Sequence, residues 1–157
     1  MGNSVVRPMK PSEAHEVVQL WRRLAQDMSG LGGTHIVDDE SLRRFHEFLE
    51  GLRKEDENQV LVSEINARIV GFLTFMKQAG SPLRSKYSRA TIEDLYVDED
   101  YRRTGIATEL LERCLEYLRS RAVEEVRVNV LANNTTARNL YRKLGFSEHM
   151  IIVNKRL

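Results

Sequence analysis

One cysteine, three prolines and one tryptophan occur among 157 residues, and the formal charge is only +1. A lone thiol, Cys114, excludes an internal disulfide. Without a signal-like N-terminus, a reducing cytoplasmic setting is expected. No apolar run approaches the roughly 18 residues that a membrane-spanning helix needs. Lys plus Arg (24) almost cancels Asp plus Glu (23). The basic excess that nucleic-acid or membrane-surface binding requires is therefore missing, although a local basic pocket is not excluded. His15, His35, His46 and His149 share no metal-ligand spacing with each other or with Cys114, so no metal is expected. The N-terminus, Met1-Gly2-Asn3-Ser4-Val5-Val6, begins like a myristoylation signal but has Val6 where Ser or Thr is required. Neither the G-x-x-x-x-G-K-[ST] phosphate loop nor the three-glycine dinucleotide fingerprint is present.

What is present is an ordinary globular composition, 41% hydrophobic and 30% charged, at a length that suits one domain over residues 1–157. Val5 to Arg7 reads as a short strand stopped by Pro8 and Pro11. Ser12 is the expected N-cap of a helix whose apolar stripe is Ala14, Val17, Val18, Trp21, Leu24, Ala25 and Met28. Ser29-Gly30-Leu31-Gly32-Gly33 breaks that helix. A second one is expected over Asp39 to Leu52, with Leu42, Phe45, Leu49 and Leu52 inward, followed by a charged turn, Glu55 to Asn58. Gln59 to Ile65 and Ile69 to Lys77 read as strands joined at Asn66-Ala67, where Asn66 tolerates a left-handed turn. Gly80 to Arg89 reads as a loop, and Thr91 to Val97 as a strand ended by Asp98-Glu99-Asp100. The periodicity then predicts a helix over Gly105 to Arg121 with Ile106, Leu110, Leu111, Cys114, Leu115 and Leu118 on one side. A strand over Glu125 to Leu131 follows, then a helix over Thr135 to Leu144 closed by Gly145, and a last strand over Met150 to Arg156. The order β-α-α-β-β-β-α-β-α-β implies an α/β fold, a mixed sheet of about six strands flanked by four helices.

The chemistry is concentrated where Asp94-Leu95-Tyr96-Val97 runs through a turn into Arg102-Arg103-Thr104-Gly105-Ile106-Ala107. A helix start offers unpaired N–H groups and positive partial charge. Gly105 and Ala107 leave room for a phosphate to approach the backbone, and Arg102 and Arg103 add full charges. That suits a pyrophosphate; the competing reading is a plain strand-to-helix turn with incidental arginines.

Residues 102–107 fit the pattern [QR]-x-x-G-x-[GA]. Asn134-Thr135-Thr136-Ala137-Arg138-Asn139-Leu140-Tyr141-Arg142-Lys143-Leu144-Gly145-Phe146 fits N-x-x-A-x-x-L-Y-x-x-x-G-F. With both patterns in this element order, the chain resembles the GNAT superfamily of N-acetyltransferases from Val5 to Leu157, most closely from Ile92 to Phe146. The resemblance implies acetyl-coenzyme A as co-substrate. The segment Leu95-Tyr96-Val97 would pair with its pantetheine arm, the Leu95 and Val97 backbones making the bonds as an added strand does. The N–H groups of Arg103, Thr104, Gly105, Ile106, Ala107 and Thr108 would hold its pyrophosphate, with Arg102 beside them. Asn134 and Ala137 would border its arm, and Asn134 also reads as a plain N-cap.

An ammonium, with a reference pKa of about 10.4 for lysine, cannot attack a thioester until it loses a proton. Glu93 is the candidate general base, since alternation sets Thr91, Glu93, Leu95 and Val97 on one strand face and Ile92, Asp94 and Tyr96 on the other. Otherwise Glu93 is a structural carboxylate or binds a cationic acceptor. The resemblance implies that the Leu95 N–H stabilises the oxyanion and that Tyr141 protonates the leaving thiolate; Tyr141 also reads as a core aromatic. Cys114 lies on an apolar stripe, which favours direct transfer in a ternary complex over an acetyl-cysteine route. Glu93-Asp94 is similar to the spermidine/spermine branch. With His35, Asp38, Asp39 and Glu40 in the loop between the first helices, it suggests a polyamine or other small cationic acceptor. Asp38 and Asp39 also read as a cap and charge complement for the second helix. The alternatives are a protein N-terminal or lysine amine, or a non-catalytic acetyl-coenzyme A-binding module. Only eleven residues follow Phe146, so one acceptor wall is either open or completed by a second subunit in a homodimer.

Overall fold

The computed structural model describes residues 2–34, 36–78 and 88–157. His35 and most of the expected Gly80 to Arg89 loop lie outside them. β1 (Val5–Pro8) leads through a 3-10 turn into α1 (Ala14–Gly30), and α2 (Asp39–Glu55) follows. β2 (Val60–Ile65), β3 (Arg68–Gln78) and β4 (Arg89–Val97) come next. α3 (Ile106–Ser120), β5 (Glu125–Val128) and α4 (Thr135–Lys143) complete the order. Among the described residues the sheet has five strands in the order β1-β2-β3-β4-β5. The first three pairings are antiparallel and β4–β5 is parallel, because α3 carries the chain back across the sheet.

The hairpin between β2 and β3 forms where the sequence placed it. Asn66 and Ala67 both take positive φ, 50° and 61°, as a two-residue turn between twisted strands demands. Each face of the sheet buries its own core. Leu61, Leu73, Phe75, Ile92, Leu110, Leu111, Cys114 and Tyr141 pack on the face covered by α3 and α4. Val17, Val18, Phe45, Leu49, Val62, Phe72 and Tyr96 pack on the face covered by α1 and α2. Full burial of a side chain such as Leu110 or Phe72 contributes about 1.5–3 kcal/mol. α3 sits close to the sheet because β3 has Gly71 beneath it: a Cβ there would stand 3.0 Å from the Tyr96 carbonyl and 3.4 Å from Leu110 Cδ1.

Several expectations are corrected. Ser12 lies inside the 3-10 turn Pro11–Glu13, and the residue before α1 is Glu13. Leu20 and Tyr117 are buried although neither belonged to its helix's expected stripe. β5 ends at Val128, short of Leu131. Met150 to Arg156 forms no strand, and Met150, Ile151, Ile152 and Val153 are all more than two-thirds exposed. β-branched composition makes a segment fit for a sheet, but only pairing with a neighbouring strand makes it one, and this segment pairs with neither terminal strand, β1 or β5.

Candidate active site

The pairing register opens a gap beside β4. β4 stays bonded to β3 from Arg89↔Gln78 to Val97↔Gly71, whereas its pairing with β5 stops at Ile92↔Val128. Beyond Ile92 no strand among the described residues covers that side. Strand backbone groups point alternately to the two neighbours. The Asp98 N–H donates to Val70 O of β3 at 2.8 Å, so Tyr96 also faces β3 while Leu95 and Val97 face the gap. This is an open edge able to bond an extended arm.

Glu93 sits at a β-bulge. Thr74 pairs with Asp94 but Phe75 pairs with Ile92, leaving Glu93 as the extra residue. Strict alternation is therefore overturned: Ile92 shares a face and a core with Leu95 and Val97, and only Tyr96 packs into the other core. Asp94 accepts a 2.6 Å hydrogen bond from Thr74 Oγ1. Glu93 is exposed, yet burial by its surroundings pushes its carboxyl above the ordinary range, nearer to where a base must work.

The turn after β4 is built on left-handed backbone. Arg103 has φ 62° and Gly105 φ 90°, and Thr104 Oγ1 donates to Tyr101 O at 2.5 Å. α2 and α4 have side-chain caps, Asp38 to Ser41 N–H and Asn134 to Ala137 N–H. α3 has none: Gly105 precedes it with no side chain to offer. The first amides of α3 thus keep their donors, Gly105 has open space where a Cβ would stand, and Ala107 and Thr108 are partly exposed beside buried Ile106. The residues present fit a diphosphate approaching that backbone. Arg102 is turned elsewhere: its Nε donates to Val97 O at 3.0 Å and its Nη2 to Asp27 Oδ2 at 2.9 Å.

α4 places Tyr141 against the same part of the sheet, 7% exposed, with Ala137, partly buried, one turn earlier on the same core. Burial, then Cys114 and Asp94, raise its phenol well above the usual range, so it keeps its proton. The helix stops in a Schellman turn: Phe146 N–H donates to Tyr141 O at 3.0 Å and Gly145 N–H to Arg142 O at 3.1 Å. Gly145 takes φ 87°, and Phe146 packs edge-on to Tyr141 with centroids 5.4 Å apart. Asn134 spends its Oδ1 on the cap, 3.2 Å from Ala137 N. Cys114 is fully buried and its thiol is pushed up to about 12 by burial alone, which removes the thiolate that covalent catalysis needs.

On the acceptor side, Asp38 accepts from Ser41 N–H at 2.7 Å and Glu40 binds both Arg43 and Arg44. Asn133 donates to Leu31 O at 2.9 Å, tying the segment before α4 to the end of α1. Neither Asn133 nor Asp27 belongs to either motif; in sequence Asp27 is a helical charge four residues after Arg23. A cleft of about 760 Å³ bordered by Asp56, Lys77, Arg89 and Arg121 lies at the opposite end of β4 from Val97. Among the described residues no cluster of three or more potential ligands could hold a metal, and no helix is long and apolar enough to cross a membrane.

An open strand edge thus leads into an uncapped helix start, with an ionisable carboxyl and a protonated phenol on the neighbouring elements. Residues 17–146 match the acetyltransferase (GNAT) family. The chain belongs to that family, whose enzymes are acetyl-coenzyme A-dependent N-acetyltransferases. It is 32% identical over 105 residues to an uncharacterized N-acetyltransferase of Methanocaldococcus jannaschii, covering 67% of this chain but only 46% of that protein's length. It is 32% identical over 113 residues to an N-alpha-acetyltransferase of Sulfurisphaera tokodaii, covering 69% of this chain and 67% of the relative. The fold matches a ribosomal-protein-alanine N-acetyltransferase from Brucella melitensis at TM-score 0.74, over 93% of this chain and 86% of that one, at 23% identity. That last likeness is one of fold.

Proposed function

We propose that this chain transfers acetyl from acetyl-coenzyme A to an amine by direct attack in a ternary complex, and that the acceptor is the α-amino group of a peptide. The observation that carries the transfer is the unpaired side of β4 running into the uncapped start of α3. Leu95 and Val97 bond the pantetheine arm, and the amides from Arg103 to Thr108 receive the pyrophosphate. Glu93 takes the ammonium proton, directly or through water. The Leu95 N–H steadies the oxyanion formed on attack, and Tyr141 gives its proton to the departing thiolate.

The choice of an α-amine rests on proton affinity and on one relative. A peptide N-terminus has a reference pKa about 2.5 units below lysine's, so roughly 300 times more of it is neutral near pH 7. A carboxylate base is adequate for such an amine. The N-alpha-acetyltransferase of Sulfurisphaera tokodaii supports the same class. A small polyamine is the second reading. It draws on Glu93 and on the acids between α1 and α2, but Asp38 is occupied as a cap and Glu40 by two arginines.

Coenzyme A release, measured with free N-terminal peptides, the same peptides blocked at the N-terminus but carrying lysine, and spermidine, tests the reading. Free N-termini should give the highest kcat/KM. Spermidine in first place would transfer the assignment to the polyamine reading. Tight binding of acetyl-coenzyme A with no release in any arm, and no change in Tyr141→Phe, would identify a silent binding module.

A further inference from the structure

Two ion pairs bind α1 to the segment joining β4 and α3, with their polarity reversed between them. Arg23 Nη1 donates to Asp98 Oδ2 at 2.9 Å, and one turn further along α1 Asp27 Oδ2 accepts from Arg102 Nη2 at 2.9 Å. The helix offers a cation and then an anion four residues apart; the segment offers an anion and then a cation at the same spacing. Each rung is reinforced. Asp98, 2% exposed at its side chain, also takes Arg68 Nη2 at 3.0 Å, and the Arg68 guanidinium lies 5.7 Å from the Tyr101 ring centre. Arg102 bonds the Val97 carbonyl and covers the Tyr96 ring at 5.2 Å. Its guanidinium is thus engaged by a carboxylate, a carbonyl and an aromatic face.

We propose that Arg102 is a positioning residue: with Asp27 it forms a clip that holds Asp98–Gly105 in the shape that converges the first amides of α3, and it does not itself contact the phosphates. This rests on the reading of the α3 start as the pyrophosphate site. The left-handed backbone at Arg103, a residue with a Cβ, persists only if neighbouring contacts over-determine it, and the clip supplies them. Arg103, exposed and without an ion pair among the described residues, is left as the cation available to phosphate.

The sign of one substitution decides between clip and ligand. Calorimetric titration with coenzyme A is run on the wild type, Asp27→Asn, Arg102→Gln, the double variant and Arg103→Gln. Backbone 15N order parameters of the amides from Thr104 to Thr108 are measured in the ligand-free proteins. A half-exposed ion pair sets the scale, so Asp27→Asn should weaken coenzyme A binding about two- to fivefold and lower the order parameters of those amides. Adding Asp27→Asn to Arg102→Gln should change nothing more, while Arg103→Gln should weaken binding without altering them. If Arg102 instead binds phosphate, removing the competing Asp27 carboxylate leaves binding unchanged or tighter, and the order parameters of the free protein stay as they were; either result overturns the clip. No binding by the wild type would overturn the pyrophosphate reading itself, and the order parameters would still decide whether the clip orders the turn.

Discussion

Replacing Tyr141 with Phe separates the two roles this residue can have. The ring is 7% exposed and packs on Phe146, and Phe preserves that packing. Loss of the hydroxyl should therefore change stability by about 1 kcal/mol or less, a shift of roughly 2–4 °C in a chain of this size. A general acid in the rate-limiting step is worth about 100- to 10,000-fold, or about 2.7–5.4 kcal/mol of barrier. The assay is kcat for coenzyme A release with a peptide acceptor, beside calorimetric affinity for coenzyme A and a thermal melt. The pH profile adds a sign. A phenol raised above its usual range by burial, then by Cys114 and Asp94, is fully protonated below about pH 10. The wild type should consequently show no falling alkaline limb up to that pH. A Tyr141→Phe enzyme with kcat within threefold of wild type, at unchanged coenzyme A affinity, would refute the acid role and leave Tyr141 as a core aromatic.

Three further outcomes are expected. Gly105→Ala meets no atom within 4 Å but must hold φ 90°. It should cost about 1–2 kcal/mol in urea denaturation and weaken coenzyme A binding. Asn134→Ala removes the cap on Ala137 N–H and should lower stability by about 0.5–2 kcal/mol; an unaltered coenzyme A affinity would show that capping is its whole contribution. Cys114, with its thiol pushed up to about 12, should resist a disulfide reagent until the protein is denatured. Cys114→Ala should keep full turnover while losing about 1–2 kcal/mol to the cavity it leaves; loss of turnover would reinstate a covalent route.

Where local chemistry decided the structure, the residues were legible. Asn66-Ala67 announces a hairpin because few residues accept positive φ, and the stripes of α2 and α3 announce helices because burial follows the period of 3.6. The two motifs likewise led to the turn at Gly105 and the end of α4. Features that depend on a neighbour were not legible. The bulge at Glu93 arises from the register between β3 and β4, so alternation along β4 alone placed Ile92 on the wrong side. Met150 to Val153 has the composition of a strand, yet no edge receives it. The ion pair of Arg102 was not legible because its partner, Asp27, is 75 residues away in sequence.

The Schellman turn at the end of α4 gives the closing Gly-Phe of the second motif a mechanical meaning. Phe146 reaches back one turn and braces the very ring whose hydroxyl is assigned to the departing sulfur. Where the helix stops thus sets how firmly that proton is aimed. A replacement at Gly145 that let α4 wind further would loosen the phenol's seating while leaving every reacting group intact.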